Sequence, residues 1–325
     1  MNSKQLQKVS GARKMAMPDF VSPQLATLVK EAPKGDEWLH ELKFDGYRLL
    51  CHLHRGSVRL WTRNQKDWTD KFPAVAKALK SLRVQSAILD AEVVALDSSG
   101  RSSFQMLQQA IHKTAGKGLV LEVFDLIYVE GFSLTRTPLI ERKRVLAQLI
   151  GSDGALKYSD HVEGNGPKFF KQACDFGIEG IVSKLANSLY ESARSHSWQK
   201  VKCLKRQEFV IAGYTLSDKG LPFSSLVLGV YEKGKLIYAG RVGTGFSNKL
   251  RADLKKMLDR IGRPTKPFAE IPRDPDLRRA VWAEPKLLGE VAFTEWTNEN
   301  VIRHPSFQGL REDKKATDVV REEPE

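Results

Sequence analysis

The sequence predicts an α+β protein of two domains. The larger carries antiparallel sheets with flanking helices, and the smaller is a β-barrel or a sandwich. Three observations predict this. At 325 residues the chain fits two domains or one large one. Its first two thirds alternate strand-like runs with segments of helical periodicity. From about Lys205 onward, short alternating strands joined by Gly/Lys turns take over.

The elements follow in order. Residues 1–17 are basic and lack the apolar core of a signal peptide, so they read as a flexible leader or the remnant of a linker. From Pro18 a short apolar patch (VSPQLATLV) leads into a Gly/Pro-marked loop. WLHELKFDGYRLLCHLH then runs to Arg55-Gly56 and returns as SVRLWTR, a hairpin-like meander. FPAVAKALKSL and FQMLQQAIH have helical spacing, while SAILDAEVVAL and LVLEVFDLIYV are β-rich. PLIERKRVLAQLI predicts an amphipathic helix, and KFFKQACDFG a helix ended by Gly177. EGIVSK and SWQKVK are short strands that close the first domain at residue 204. Residues 205–318 hold several strands and one helix, LRADLKKMLDRIG. That pattern fits a small barrel of the oligonucleotide-binding (OB) type, and a sandwich fits it as well. Residues 319–325 are a charged tail.

Composition narrows the function. Hydrophobic residues are 41% and charged residues 28%, which excludes disorder as the dominant state. The net charge of +13 is spread over both halves of the chain and suits a polyanionic partner such as nucleic acid. Cys51, Cys174 and Cys203 are odd in number and widely spaced, which predicts neither a disulfide framework nor a thiolate zinc site, and places the chain in a reducing compartment. The longest apolar stretch, Leu119–Val129, is interrupted by Glu122 and Asp125, so no membrane span is expected.

The chemistry gathers around Lys43-Phe44-Asp45-Gly46. A lysine becomes a nucleophile when nearby positive charge or desolvation lowers its pKa. Taken alone, K-x-D-G reads as a turn with a solvated Lys–Asp pair. Lys200 and Lys202 alternate with Val201, so on a strand both ammonium groups face one way. Taken alone, that pattern reads as a solvated basic strand face.

K-x-D-G is followed by W-T-R-N, L-D-A-E-V-V, V-F-D-L-I-Y, E-G-I-V-S-K, R-S-H-S-W-Q-K-V-K and R-H-P-S-F-Q-G-L-R-E-D-K. In this order and spacing the set resembles the nucleotidyltransferase motifs of ATP-dependent DNA ligases. The texture is most like the ligase domain of bacterial non-homologous end-joining ligases. The resemblance spans Pro18 to Asp318 and implies an adenylation domain followed by an OB-fold domain. Lys43 is then implied as the adenylated lysine. Glu41 helps recognise adenine, Phe124 stacks on it, and Glu92 reads the ribose or holds metal. Arg48 and Arg63 engage the AMP and the nick 5′-phosphate, Arg194 contacts the nucleotide, and Lys200 and Lys202 hold the α-phosphate and lower the pKa of Lys43 by repulsion. Glu179 resembles the metal-binding glutamate, and Arg303, Arg311 and Lys314 orient pyrophosphate. ATP as co-substrate and Mg²⁺ or Mn²⁺ as metal follow from the same resemblance. So do duplex DNA with nicks or ends as substrate, end-joining proteins such as Ku as partners, a monomeric state and a place in the bacterial cytoplasm or nucleoid. The implied hinge between the domains lies near 202–207.

Ala91 and Ser183 depart from the pattern where glycine and an apolar residue are common. End-joining ligases also often carry polymerase and nuclease domains, for which 325 residues leave no room. A stand-alone ligase or an excised domain is therefore expected. Two alternatives stay open. One is an RNA ligase or capping guanylyltransferase, which share K-x-D-G. The other is a non-catalytic OB-fold nucleic-acid-binding protein, which explains the charge but not Lys43 arriving together with Glu92, Glu179, Lys200 and Lys202.

Overall fold

The computed structural model describes residues 3–114, 116, 118–151 and 154–324. Met1 and Asn2 of the expected leader, and Glu325 of the tail, lie outside the described residues. The chain divides into two compact units, one ending at Cys203 and one running from Leu204 to Glu323.

The first unit begins with α1 (Ser3–Leu6), β1 (Arg13–Lys14), β2 (Leu25–Leu28), β3 (Trp38–Leu42), β4 (Tyr47–His54), β5 (Ser57–Thr62), α2 (Pro73–Lys80) and β6 (Ser86–Val94). It continues through α3 (Phe104–Thr114), β7 (Val120–Val129), β8 (Phe132–Ser133), α4 (Leu139–Leu149), β9 (Leu156–Tyr158) and β10 (Val162–Glu163). It closes with α5 (Gly166–Asp175), β11 (Gly180–Leu185) and β12 (Arg194–Lys202). One sheet has the order β1-β8-β7-β6-β4-β5, with β9 beside β7. The other has the order β10-β3-β11-β12-β2.

Three apolar layers hold this unit together. The first sheet packs its far face on α2, α3 and α4 through residues such as Leu49, Leu89, Val75, Leu107 and Leu146. The two sheets meet across Leu50, Ile88, Ile127, Tyr190 and Trp198. The second sheet packs its outer face on α5 through Ile181, Val201 and Ala173. Pro73 opens α2 at a position where its missing N–H costs nothing, and Arg55-Gly56, both at positive φ, make the tight turn between β4 and β5.

Four expectations change. The leader is folded: Leu6 is fully buried in the first core and β1 pairs with β8, because Leu6, Val9 and Ala12 fall on one side of the turn they form. The run from Trp38 to His54 is not one meander, since β3 and β4 belong to different sheets. The α4 helix is not simply amphipathic, because Arg142 and Lys143 are fully buried on it. Finally, Cys174 and Cys203 are joined by a disulfide. Their separation of 29 residues gives no spacing signal, and only the packing of α5 against the end of β12 brings them together.

In the second unit the strands β13 (Lys205–Tyr214), β14 (Leu226–Glu232), β15 (Lys235–Val242), β16 (Gly262–Arg263), β17 (Val281–Phe293) and β20 (Ser306–Arg311) form one six-stranded sheet. Between them, β18 (Glu295–Trp296) and β19 (Ile302–Arg303) pair separately. The long β17 pairs with β13 on one side and with β16 and β20 on the other. Among the described residues the ladder does not close into a barrel: it ends at β15 on one side and at β16 and β20, both paired with β17, on the other. A single long helix, α6 (Asn248–Arg260), is capped by Ser247 and buries Leu254 and Leu258 in this core. The tail is tied down as well: Val319 is buried and its carbonyl accepts from the Tyr231 N–H.

Candidate active site

The site of the first unit lies where the two sheets face each other. Lys43 continues the β3–β11 ladder, its N–H donating to the Gly180 carbonyl at 2.9 Å. The chain then crosses between sheets through Asp45 and Gly46. Asp45 is buried, and its carboxylate accepts the Phe104 N–H at the start of α3 while its own N–H donates to Ser102. A Cβ on Gly46 would sit 2.2 Å from the Val93 carbonyl oxygen, so only glycine lets the loop lie on β6. The K-x-D-G segment is thus a rigid bridge, with the lysine at its exposed edge.

Register decides what faces Lys43. Glu41 pairs with Val182, Val182 with Lys200, and Gly180 with Lys202, so Glu41, Lys200 and Lys202 share one face of the second sheet. Val201 points the other way, into the α5 layer. On the first sheet Arg48 stands opposite Glu92, and Glu92 opposite Glu122.

Lys43 Nζ donates to Glu179 Oε2 at 2.5 Å, with the lysine side chain 21% exposed and the glutamate 6%. Burial alone would lower the Lys43 pKa, but the carboxylates of Glu179, Asp45 and Glu92 outweigh it and the pKa is raised. This corrects the expectation that Lys200 and Lys202 depress it. The net field at Lys43 in the free protein is acidic, and the lysine is held as an ammonium.

Around this pair the side chains are fixed by buried partners. Arg48 makes a two-point contact with Asp90 at 2.8 and 2.6 Å, and the Tyr190 hydroxyl donates to the same carboxylate at 2.6 Å. Glu41 is buried between Lys143 at 2.7 Å and Lys184 at 2.8 Å, with the Ser159 hydroxyl also donating to it. Phe124 is half-buried, with the Lys184 ammonium 4.4 Å and the Arg48 guanidinium 5.3 Å from its centroid, and it meets Trp198 edge-on. Asp125 carries Arg142 through two bonds at 2.7 and 2.8 Å, both side chains fully buried.

The structure therefore gathers Lys43, Glu41, Arg48, Glu92, Phe124, Glu179, Lys200 and Lys202 on the two facing sheet surfaces. Arg194 sits at an exposed edge, donating to the Ala26 carbonyl. Arg63 is half-buried just past β5, and no described residue pairs with it. In the second unit Arg311 is half-buried, bonded twice to Asp313 at 3.0 Å and to Glu290 at 3.2 Å, while Lys314 reaches Glu208 at 2.5 Å. Glu208 and Glu290 are cross-strand neighbours, so these two cations belong to one ion cluster. Arg303 lies apart, paired with Glu295 across β18–β19.

Sequence reasoning missed Asp90, Tyr190, Lys143 and Lys184, which hold the expected residues in place. It also missed Glu122, whose carboxyl is pushed by burial to a pKa of about 7 despite Lys157 pulling it down. An acid whose folded pKa is raised adds stability below its ordinary value of 4.5 and loses it as pH rises towards 7. Glu122→Gln is expected to stabilise the first unit by about 2–3 kcal/mol at pH 8 and to leave it unchanged at pH 4. Unfolding curves at the two pH values check this, and equal effects at both would contradict it.

The donor set suits a nucleoside triphosphate and a hard cation. Four cations (Lys43, Arg48, Lys200 and Lys202) suit phosphate oxygens, and Phe124 offers a ring to a base. Among the described residues no three His, Cys, Asp or Glu side chains form a metal cluster. Glu92 and Glu179 instead offer single carboxylates, the usual complement for Mg²⁺ that also binds phosphate and water.

Comparison with known proteins shows the family. Residues 22–202 match the model of the ATP dependent DNA ligase domain, and residues 219–314 that of the ATP dependent DNA ligase C terminal region. The multifunctional non-homologous end joining protein LigD of Pseudomonas aeruginosa is 41% identical over 318 residues, which cover 96% of this chain and 38% of that protein. The LigD DNA repair protein of Mycobacterium tuberculosis is 36% identical over 94% of this chain and 40% of its own length. The chain thus spans about two fifths of these relatives. Among solved structures, mycobacterial DNA ligase D complexed with ATP and MES superposes with a TM-score of 0.70 at 35% identity, over 93% of this chain and 98% of that one. The chain belongs to the ATP-dependent DNA ligase family.

Proposed function

We propose that this chain seals 5′-phosphate/3′-hydroxyl breaks in duplex DNA through a lysyl–AMP intermediate on Lys43, in the repair of broken ends. The observation that carries the reading is the Lys43–Glu179 pair, set on one sheet with Lys200 and Lys202 and faced by Arg48 and Glu92 on the other. The Lys43 amine attacks the α-phosphate of ATP, forming a P–N bond and releasing pyrophosphate. The AMP then passes to the DNA 5′-phosphate, and the 3′-hydroxyl displaces it. Lys200, Lys202 and Arg48 balance charge at the α-phosphate, and Phe124 and Glu41 bind adenine. Glu92 and Glu179 would hold the divalent metal, which supplies charge neutralisation at phosphate.

Residues 18–204 serve as the adenylation domain and 205–318 as the OB-fold domain, in which Arg303, Arg311 and Lys314 orient pyrophosphate. Arg63 and Arg194 engage the nucleotide or the 5′-phosphate, reached by rearrangement from the positions described above. The protein acts as a monomer in the cytoplasm, with an end-binding protein of the Ku type as partner. No helix among the described residues is long and apolar enough to cross a membrane.

Nicked duplexes with a labelled 5′-phosphate, ATP and Mg²⁺ test the reading. Conversion to the sealed strand supports it. Sealing of RNA nicks only, or nucleotide transfer from GTP only, would move the assignment to RNA ligase or capping enzyme. Tyr190→Phe tests the support of Arg48. Loss of a hydrogen bond to a charged group costs about 1.5–3 kcal/mol, so the ATP KM for adenylation is expected to rise about tenfold with Lys43 still modified. An unchanged KM would remove Tyr190 from the account.

A further inference from the structure

The disulfide between Cys174 and Cys203 lies at a place where a covalent bond has consequences. Cys174 is near the C-terminal end of α5, and Cys203 is the first residue after β12. Their Cα atoms are 5.3 Å apart, within the range a disulfide spans without backbone movement. The loop it closes contains Glu179, Lys184, Arg194, Lys200 and Lys202. The Cys203 N–H also donates to the Glu179 carbonyl at 2.8 Å, so the bond clamps the backbone of the residue that holds Lys43. Cys203 is the last residue of the first unit, and Leu204 begins the second. The start of the connector is therefore tied to α5.

Both cysteines are half-buried, within reach of small oxidants and reductants. Cys51 differs: it is buried, and desolvation with the nearby Asp90 charge pushes its thiol well above the ordinary range. Phe176, two residues beyond Cys174, is 74% exposed, and Gly177 at φ +73° ends the helix there. The bond thus lies at an open edge of the unit.

We propose that Cys174 and Cys203 form a reversible redox clasp that slows ligation when oxidised. The inference rests on the proposed function, with the hinge implied near 202–207 re-orienting between adenylation and the DNA steps, and on the reducing compartment expected from the cysteine usage. There the pair is a dithiol at rest. A peroxide is the oxidant. One thiolate attacks a peroxide oxygen to give a sulfenic acid and water, and the second thiol sulfur displaces that oxygen as a second water. Two thiols and one hydrogen peroxide become one disulfide and two waters, with two electrons passing from sulfur to oxygen. A dithiol reductant reverses the change by exchange. Oxidation fixes the Glu179 turn and the end of β12 in one covalent loop, which permits a first adenylation and hinders turnover.

The experiment treats the full chain with hydrogen peroxide or with dithiothreitol, removes the reagent, and compares wild type, Cys174→Ser and Cys203→Ser. Intact mass, thiol labelling, a single round of adenylation and multiple-turnover sealing are read on each. The expected result is a loss of two hydrogens in wild type alone, with turnover reduced at least threefold and restored by dithiothreitol. Single-round adenylation should stay within twofold. Failure of the disulfide to form, equal turnover in the two redox states, or the same peroxide loss in either serine variant would overturn the clasp. Absence of adenylation in every sample would overturn the functional reading instead, while mass and labelling would still report whether the pair oxidises.

Discussion

Replacing Glu179 with alanine is expected to slow adenylation of Lys43 by about 10²- to 10³-fold, the range for losing one preorganised electrostatic group. In the free protein Glu179 is the nearest counter-ion of Lys43, at 2.5 Å, and it favours the ammonium form that cannot attack phosphate. If that were its whole role, the alanine variant would adenylate as fast as wild type or faster. Glu179 is also held rigidly, its carbonyl accepting from Cys203 N–H while Lys43 N–H bonds to the next carbonyl, that of Gly180. Such placement fits an oxygen donor to a divalent cation beside the α-phosphate, and its loss is not replaced by solvent. Single-turnover adenylation across Mg²⁺ concentrations decides the matter. A slow rate partly recovered at high Mg²⁺ agrees with the account, and an undiminished rate contradicts it.

Glu41→Leu is expected to have the largest effect on stability. The carboxylate is buried and receives hydrogen bonds from Lys143 and Lys184, which are themselves buried. Burial would raise the Glu41 pKa, but the two ammonium groups outweigh it and hold the pKa below the ordinary glutamate value. Removing it leaves two interior cations with no counter-ion at this point. Breaking a buried ion pair by deleting one partner costs about 3–5 kcal/mol. At about 2–4 °C per kcal/mol, the unfolding midpoint of the first unit should fall by roughly 10 °C. Glu41→Gln should fall less, because the amide still accepts one hydrogen bond. Calorimetry measures both, and a Leu variant as stable as wild type would show that the lysines find other partners.

Much of the site was legible because it lies in short linear segments. Lys43, Glu179, Lys200 and Lys202 are placed by strand register over a few residues, and two-residue periodicity alone puts Lys200 and Lys202 on one face. The residues that hold them were not legible. Lys143 sits in a helix whose charges look solvated, and only the fold carries it to Glu41, 102 residues earlier. Asp90 and Tyr190 are 100 residues apart, and no local pattern joins them. The same holds for the cysteine pair and for Leu6, whose single buried side chain turns an expected leader into part of the first core. In the second unit the strands were legible, but whether the sheet closes depends on how β15 and β20 meet, and no short-range pattern encodes that. The charge of Lys43 was misread for a related reason. Lys200 and Lys202 are visible in the sequence, whereas Asp45, Glu92 and Glu179 converge on the amine only in three dimensions.

The most direct test of the central claim is incubation with α-labelled ATP and Mg²⁺, followed by denaturing electrophoresis of wild type and Lys43→Ala. The account predicts a labelled protein band in wild type that is absent from the variant, with both proteins folded by circular dichroism. A band of equal intensity in Lys43→Ala, or none in wild-type protein shown by mass to be free of AMP, would contradict it.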